Sequence, residues 1–256
     1  MARAGISGRG RALTCVRLAC LLCLLLVPVV IGRAAPQIFA SGGNRTHLIE
    51  LFSSEGCSSC PPAEAWLNGL RGEPGLWRDF VPVAFHVDYW DRLGWTDRLA
   101  TREFTARQYA YADAWGANTV YTPGFVLDGR DWRERSGRKP PKPGDQTGVL
   151  RVEITGDRVR VGFEPAGAAQ GGIYEMHAAL LGGGLTSLVK AGENRGETLV
   201  HEFVALALVT HSLSAGAVEF ALPAGTRAGV KRRALAVWVT RPHSLEAVQA
   251  TGGWLE

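Results

Sequence analysis

The spacing of apolar residues changes once along the chain. From Leu48 to Leu127 they fall in short runs and at helical intervals, whereas beyond Val149 they alternate singly with polar residues. Leu48-Ile49-Glu50-Leu51-Phe52 is a mostly apolar run bounded by a turn, which predicts a buried strand. Ala63, Trp66, Leu67 and Leu70 recur with helical spacing and stop near Gly72, while Pro61 and Pro62 occupy opening positions where a missing N–H costs nothing. Val81 to Val87 predicts a second buried strand, so strand, helix and strand form a parallel crossover. A second helix is expected over residues 98–115, with Ala100, Phe104, Tyr111 and Trp115 on one face and Asp97 as its cap. Val120 to Gly129 then predicts a proline-containing turn and an apolar strand. To this point the pattern is alternating α and β around one sheet.

Residues 131–147 include Arg138-Lys139-Pro140-Pro141-Lys142-Pro143-Gly144, a basic, proline-rich stretch that predicts a linker. Val152 and Ile154, then Val159, Val161 and Phe163, alternate around Gly156-Asp157, a two-residue hairpin turn that sets Ile154 against Val159 and Glu153 against Arg160. Further strands are expected at 173–181, 185–190, 198–210, 217–222 and 234–240, giving a small antiparallel β-sandwich-like domain over 148–256. Residues 35–46, small and polar, read as a flexible lead-in.

Composition adds a compartment. The first 34 residues carry Arg3, Arg9, Arg11, Arg17 and Arg33 and no acid, and the fourteen apolar residues Leu18 to Ile31 fall short of a membrane span. This is the pattern of a secretory signal peptide, which implies an exported protein, periplasmic or secreted, without a stable membrane span. Cleavage takes the formal charge from +4 to 4 − 5 = −1. The basicity thus belongs to the signal, and nothing electrostatic supports a nucleic-acid partner. Cleavage also removes Cys15, Cys20 and Cys23. Cys57 and Cys60 remain, each the other's only intramolecular partner in an oxidising compartment.

That pair lies in Ser54-Glu55-Gly56-Cys57-Ser58-Ser59-Cys60-Pro61-Pro62, between the first strand and the first helix. A dithiol site there would use Cys57 as attacking thiolate and Cys60 as resolving thiol. A structural disulfide is the plainer alternative, although so small a loop gains little from closure. A third is a copper or zinc site using Cys57, Cys60 and His86. His86 and Asp88 alternate along a strand, and a core histidine beside a solvated aspartate accounts for them. Trp90 and Trp95 either line a rim beside the cysteines or pack under their loop. Gly192 to Gly196 with His201 reads as a structural turn. No phosphate loop, serine elbow or H-E-x-x-H motif is present, and no cofactor is implied.

From Leu48 to Gly129 the chain resembles the thioredoxin fold, in which a C-x-x-C opens a helix after a strand and a cis-proline loop faces it. The resemblance makes Thr122-Pro123 that loop, with a trans proline opening an edge strand as the alternative. It also makes Glu50 the acid that helps deprotonate the second cysteine, although Glu50 lies seven residues before Cys57, one more than the pattern has. More specifically, the segments Ser54 to Ala63, Phe85 to Asp91, Thr105 to Gln108, Tyr121 to Pro123 and Gly192 to Gly196 resemble the domain of unknown function 1223 family, exported thioredoxin-like bacterial proteins. Together these readings imply an α/β thioredoxin-like domain over 47–130 followed by the β-sandwich-like domain. The expected function is an exported thiol–disulfide oxidoreductase with Cys57, Cys60, Thr122, Pro123 and Glu50 at its site, taking a protein or small-molecule thiol or disulfide. The alternative is a non-catalytic binding module. Ser58-Ser59 does not match the dipeptides of well-known oxidants or reductants, so the direction of electron flow stays open.

Overall fold

The computed structural model describes residues 35–133, 139–213, 216–225 and 228–256. The expected signal peptide, with Cys15, Cys20 and Cys23, and residues 134–138 of the expected linker lie outside the described residues. The elements are β1 (Gln37–Ala40), β2 (His47–Ser53), α1 (Pro61–Gly69), β3 (Phe80–His86), α2 (Arg102–Ala114), β4 (Gly124–Leu127), β5 (Arg130–Asp131), β6 (Gly148–Thr155), β7 (Arg158–Pro165), β8 (Glu175–Gly183), β9 (Leu185–Leu188), β10 (Thr198–His201), β11 (Val204–Ser212), β12 (Ala217–Ala221), β13 (Arg232–Thr240) and β14 (Ala247–Trp254).

The expected architecture, a thioredoxin-like α/β domain followed by a separate β domain, is overturned. Strands take 43% of the described residues and helices 15%. β2, β3 and β4 belong to one eight-stranded sheet, ordered β14-β13-β8-β11-β3-β2-β4-β5, half of which comes from beyond the expected linker. Ala34–Glu256 is one compact unit. The physical reason lies in β3, buried at every position. A strand so apolar needs a neighbour on each edge and cover on both faces. β2 pairs with it in parallel along one edge, and β11 meets the other, where Ala84 N donates to Phe203 O at 2.8 Å.

One core takes Leu48, Leu51, Phe52, Leu67 and Phe85 together with Leu181, Phe203, Val204 and Trp238, so residues from both sides of the linker pack in one interior. A second core lies between the large sheet and the four-stranded sheet β1-β6-β7-β12, and joins Leu150, Val152 and Val161 to Met176, Leu235 and Val237. Each fully buried side chain of this size contributes about 1.5–3 kcal/mol. The hairpin register is the expected one, with Ile154 opposite Val159 and Glu153 opposite Arg160. The lead-in differs from expectation: Gln37–Ala40 is a strand that pairs antiparallel with β6. β14, whose small residues Ala250, Thr251, Gly252 and Gly253 give no alternating signal, pairs with β13.

Alternation along β2 assigns its two faces. Phe52 contacts Phe85 and Tyr111, and Glu50 meets Arg107, so even-numbered residues face α2. Ser53 donates to Glu64, which places odd-numbered residues toward α1.

Candidate functional site

β2 runs out at Ser53, and the chain crosses to α1 through two successive tight turns. Cys57 N donates to Ser54 O at 3.2 Å and Cys60 N to Cys57 O at 3.1 Å. This folding brings the two cysteine Cα atoms to 5.4 Å, within disulfide range, and the pair is bonded. Cys60 stands at the N-cap of α1. Pro61 and Pro62 remove two of the free N–H groups that a helix start normally offers, so the helix dipole and neighbouring side chains must supply any stabilisation of a thiolate. The Ser59 hydroxyl is placed for this, 3.3 Å from Cys57 Sγ.

Both cysteines are 0% exposed, although Ser58 and Ser59 between them are on the surface. The cover comes from two distant segments. Asn194 donates its side-chain amide to Glu55 O at 2.8 Å and to Cys57 O at 2.9 Å. The Glu193 carboxylate accepts from Ser58 N at 3.0 Å and Ser58 Oγ at 2.7 Å. On the other flank, a Cβ on Gly56 would lie 3.0 Å from Trp90 Cβ, so the loop passes directly against that residue. The Trp90 indole N–H donates in turn to Thr122 Oγ1 at 2.8 Å. The Thr122-Pro123 peptide bond is cis. Because Gly124 pairs with Phe52, this peptide lies at the end of β2 from which the cysteine loop departs. A groove of about 590 Å³ runs alongside, lined among others by Tyr89, Trp90, Tyr109, Asn118 and Thr122.

Beneath the loop is a buried group of three carboxylates and two imidazoles. Glu64, on the first turn of α1, accepts from Ser53 and pairs with His201 Nδ1. His86, at the end of β3, shares a 2.7 Å hydrogen bond between Nδ1 and Asp97 Oδ2, which also accepts from Glu55 N at 2.8 Å. Glu55 Oε2 accepts from the Trp95 indole at 2.7 Å. Its Oε1 stands 3.2 Å from His201 Nε2 as an ion pair without hydrogen-bond alignment. Burial opposes charge at Glu64, His86, Asp97 and His201, but the ion pairs outweigh it. His201 is pushed up to about 10, against burial, by the nearness of Glu55 and Glu64. His86 is raised, against burial, by Asp97 and Glu64, and the same contacts lower Asp97 and Glu64. Phe203, fully buried and held at φ 59°, lies just after His201 between β10 and β11.

A model of the family described as protein of unknown function, DUF1223, matches residues 48–240. The chain belongs to that family. The match contains every side chain of the loop, its cover and the buried group. No curated protein matches the sequence. Among solved structures, the crystal structure of protein AGR_C_4864 from Agrobacterium tumefaciens is similar at 28% identity and a TM-score of 0.57, over 82% of this chain and 95% of that one. HBP35 of Porphyromonas gingivalis is similar in fold, at 11% identity and a TM-score of 0.52, over 84% of this chain and 76% of that one.

Of the residues singled out in the sequence, the structure gathers Cys57, Cys60, Trp90 and Thr122, with Pro123 at the neighbouring cis peptide. It does not bring Glu50 to them. Glu50 faces α2, where Arg107 Nε donates to it at 2.7 Å and the Tyr111 hydroxyl donates to its other oxygen. His86 joins Glu64 and His201 in a three-residue group that includes neither cysteine. Asp97 does not cap α2, because its carboxylate is turned inward; Thr101 takes that position and accepts from Phe104 N at 3.1 Å. Glu55, Glu64, Asn194 and His201 were not expected at the site. Glu64 had a signal, a carboxylate three residues from Leu67 within the apolar stripe of α1. Asn194 and His201 read as parts of a structural turn, since they arrive from more than a hundred residues away and no local spacing ties them to the cysteines.

Proposed function

We propose that this chain is an exported thiol–disulfide oxidoreductase that works through Cys57 and Cys60. The observation that carries the reading is convergence: segments 90–97 and 193–201 close on a short loop whose reactive groups are two cysteines, and Thr122 is held beside it by Trp90. A disulfide serving only to close four residues adds little stability and needs no such surroundings.

Exchange would pass through a mixed disulfide on Cys57. In the reducing direction the Cys57 thiolate attacks a substrate disulfide, forming one S–S bond and expelling one substrate thiolate. Cys60 then attacks Cys57 Sγ, closing the Cys57–Cys60 bond and releasing the second substrate thiolate. Two electrons pass to the substrate, and the two protons given up by the cysteines end on its thiols. The oxidising direction is the reverse. Ser59 would donate to the Cys57 thiolate, and the groove beside Trp90 and Thr122 would seat the substrate segment, a protein or small-molecule thiol or disulfide. With both cysteines buried, exchange requires the cover from Glu193 and Asn194 to open.

That same burial favours one alternative, a fixed disulfide in a non-catalytic binding module. A redox titration read by thiol alkylation separates the two, because a structural disulfide lies below about −300 mV and a working one well above. The expected result is the higher potential, together with loss of thiol exchange in Cys57→Ala. Exchange undiminished in that variant would overturn the reading.

A further inference from the structure

We infer that Glu64, His86 and His201 bind one divalent transition-metal ion, zinc by their donor set. This inference does not rest on the thiol chemistry above.

The first argument is an unsatisfied atom. His86 is fully buried and its Nδ1 faces the Asp97 carboxylate, which can only accept, so Nδ1 carries a proton and in the neutral ring Nε2 offers a lone pair. That Nε2 has no hydrogen-bond partner, and it points toward Glu64, with Oε1 4.0 Å away. A buried nitrogen of this kind normally has a partner. A carboxylate holding one ring nitrogen while the other is left free is the arrangement found behind metal-bound histidines.

The second argument is charge. Glu55, Glu64 and Asp97 bring three negative charges into a space closed to water, with only two imidazoles against them. Protonating both imidazoles leaves −1. A divalent ion with both imidazoles neutral also leaves −1, so the ion replaces two protons without changing the charge that is buried. It also supplies the partner that a proton on His86 Nε2 would lack.

The third argument is reach. One donor atom from each of Glu64, His86 and His201 lies within 4.8 Å of the others. Zinc holds nitrogen and oxygen donors at about 2.0–2.2 Å, hence roughly 3.3 Å apart, so side-chain movements of about 1 Å form the site. Two imidazoles and a carboxylate suit zinc better than the harder magnesium or calcium ions.

Because the site is enclosed, the test loads the full-length mature chain during refolding, with zinc or cobalt(II) as the only metal, and counts the ion per chain after desalting. One equivalent is expected, with a cobalt spectrum of nitrogen and oxygen ligation and no sulfur charge-transfer band. Cys57→Ser/Cys60→Ser should bind equally well. His201→Gln should lose the ion, and Asp97→Asn should weaken binding about 10–100-fold. Folded protein that retains no ion overturns the inference, as does binding that disappears with the cysteines. Should His201→Gln fail to fold, stoichiometry and spectrum of the parent and double-cysteine proteins still decide the question.

Discussion

On the α2 face of β2, Glu50, Arg107 and Tyr111 close on one another; on the α1 face, Glu55, Glu64, Asp97, His86 and His201 do not. Both groups are buried, and both sit among aromatic rings. The first balances: one carboxylate meets one guanidinium, which also lies over the rings of Phe85, Tyr111 and Trp238 at 5.2–5.4 Å, and no buried side-chain polar atom of Glu50, Arg107 or Tyr111 lacks a partner. The second holds an acid too many and leaves His86 Nε2 without a hydrogen bond, while Glu55 Oε1 and His201 Nε2 meet only as an ion pair at 3.2 Å. Leaving a buried polar atom unpaired costs about 1–3 kcal/mol. A saturated group needs only folding to explain it. An unsaturated one beneath a pair of cysteines points to a ligand or a reaction, and that difference is why we propose the chemistry for the α1 side.

The comparison predicts its largest effect on the balanced side. Arg107→Leu strands Glu50 in a dry interior and should cost about 3–5 kcal/mol in urea unfolding, with the Glu50→Gln/Arg107→Leu double variant recovering at least half. Thiol exchange by the folded fraction should be unchanged. A loss under about 1 kcal/mol would remove the claim that this group is structural.

The next effect depends on pH. His177 stacks on Trp238, and its two ring nitrogens meet Thr210 Oγ1 at 2.9 Å and Thr240 Oγ1 at 3.0 Å. Burial, and then the charge of Arg107, push its pKa down to about 3. Its pKa is lower in the fold than in the unfolded chain, so its contribution is complete above about pH 6.5 and is lost as pH falls from there to about 3. Between pH 7 and pH 5 the loss should be about 2 kcal/mol. Subtracting the same pH series for His177→Gln isolates it from the carboxylates. No difference between the two series would mean that the balanced side does not hold His177 neutral.

The two groups were not equally legible in the sequence. Periodicity finds β2, α1, β3 and the 148–165 hairpin because each is set by neighbours within a few residues. The Gly156-Asp157 turn gives its register outright. The single large sheet escapes such reasoning, since β3 takes β11 as its neighbour across more than a hundred residues and no local spacing encodes that choice. The same holds for the site. Cys57 and Cys60 announce themselves by spacing, whereas Asp97 looks like a helix cap until Thr101 takes the position, and His201 looks like part of a turn. Glu50 was the visible acid on the strand, but alternation commits it to the α2 face, and Glu64, on the helix itself, is the acid on the cysteines' side.

The last effects bear on the cover. If the α1 side is the working one, loosening its cover should raise the reactivity that Arg107→Leu leaves unchanged. Asn194→Ala removes two buried hydrogen bonds to Glu55 O and Cys57 O, which should cost about 1–3 kcal/mol. It should also speed reduction of the Cys57–Cys60 disulfide by a small thiol several-fold, followed by alkylation and mass. Glu193→Gln disturbs only the contacts to exposed Ser58 and should stay within about 0.5 kcal/mol, with a rate close to that of the parent chain. The two substitutions are adjacent in sequence, so a general loosening of the loop would move both rates together. A rate that rises with Asn194→Ala alone assigns the barrier to the buried clasp. Equal rates in all three proteins would mean that access to the disulfide is set elsewhere, and that the cover belongs with the structural side of the comparison.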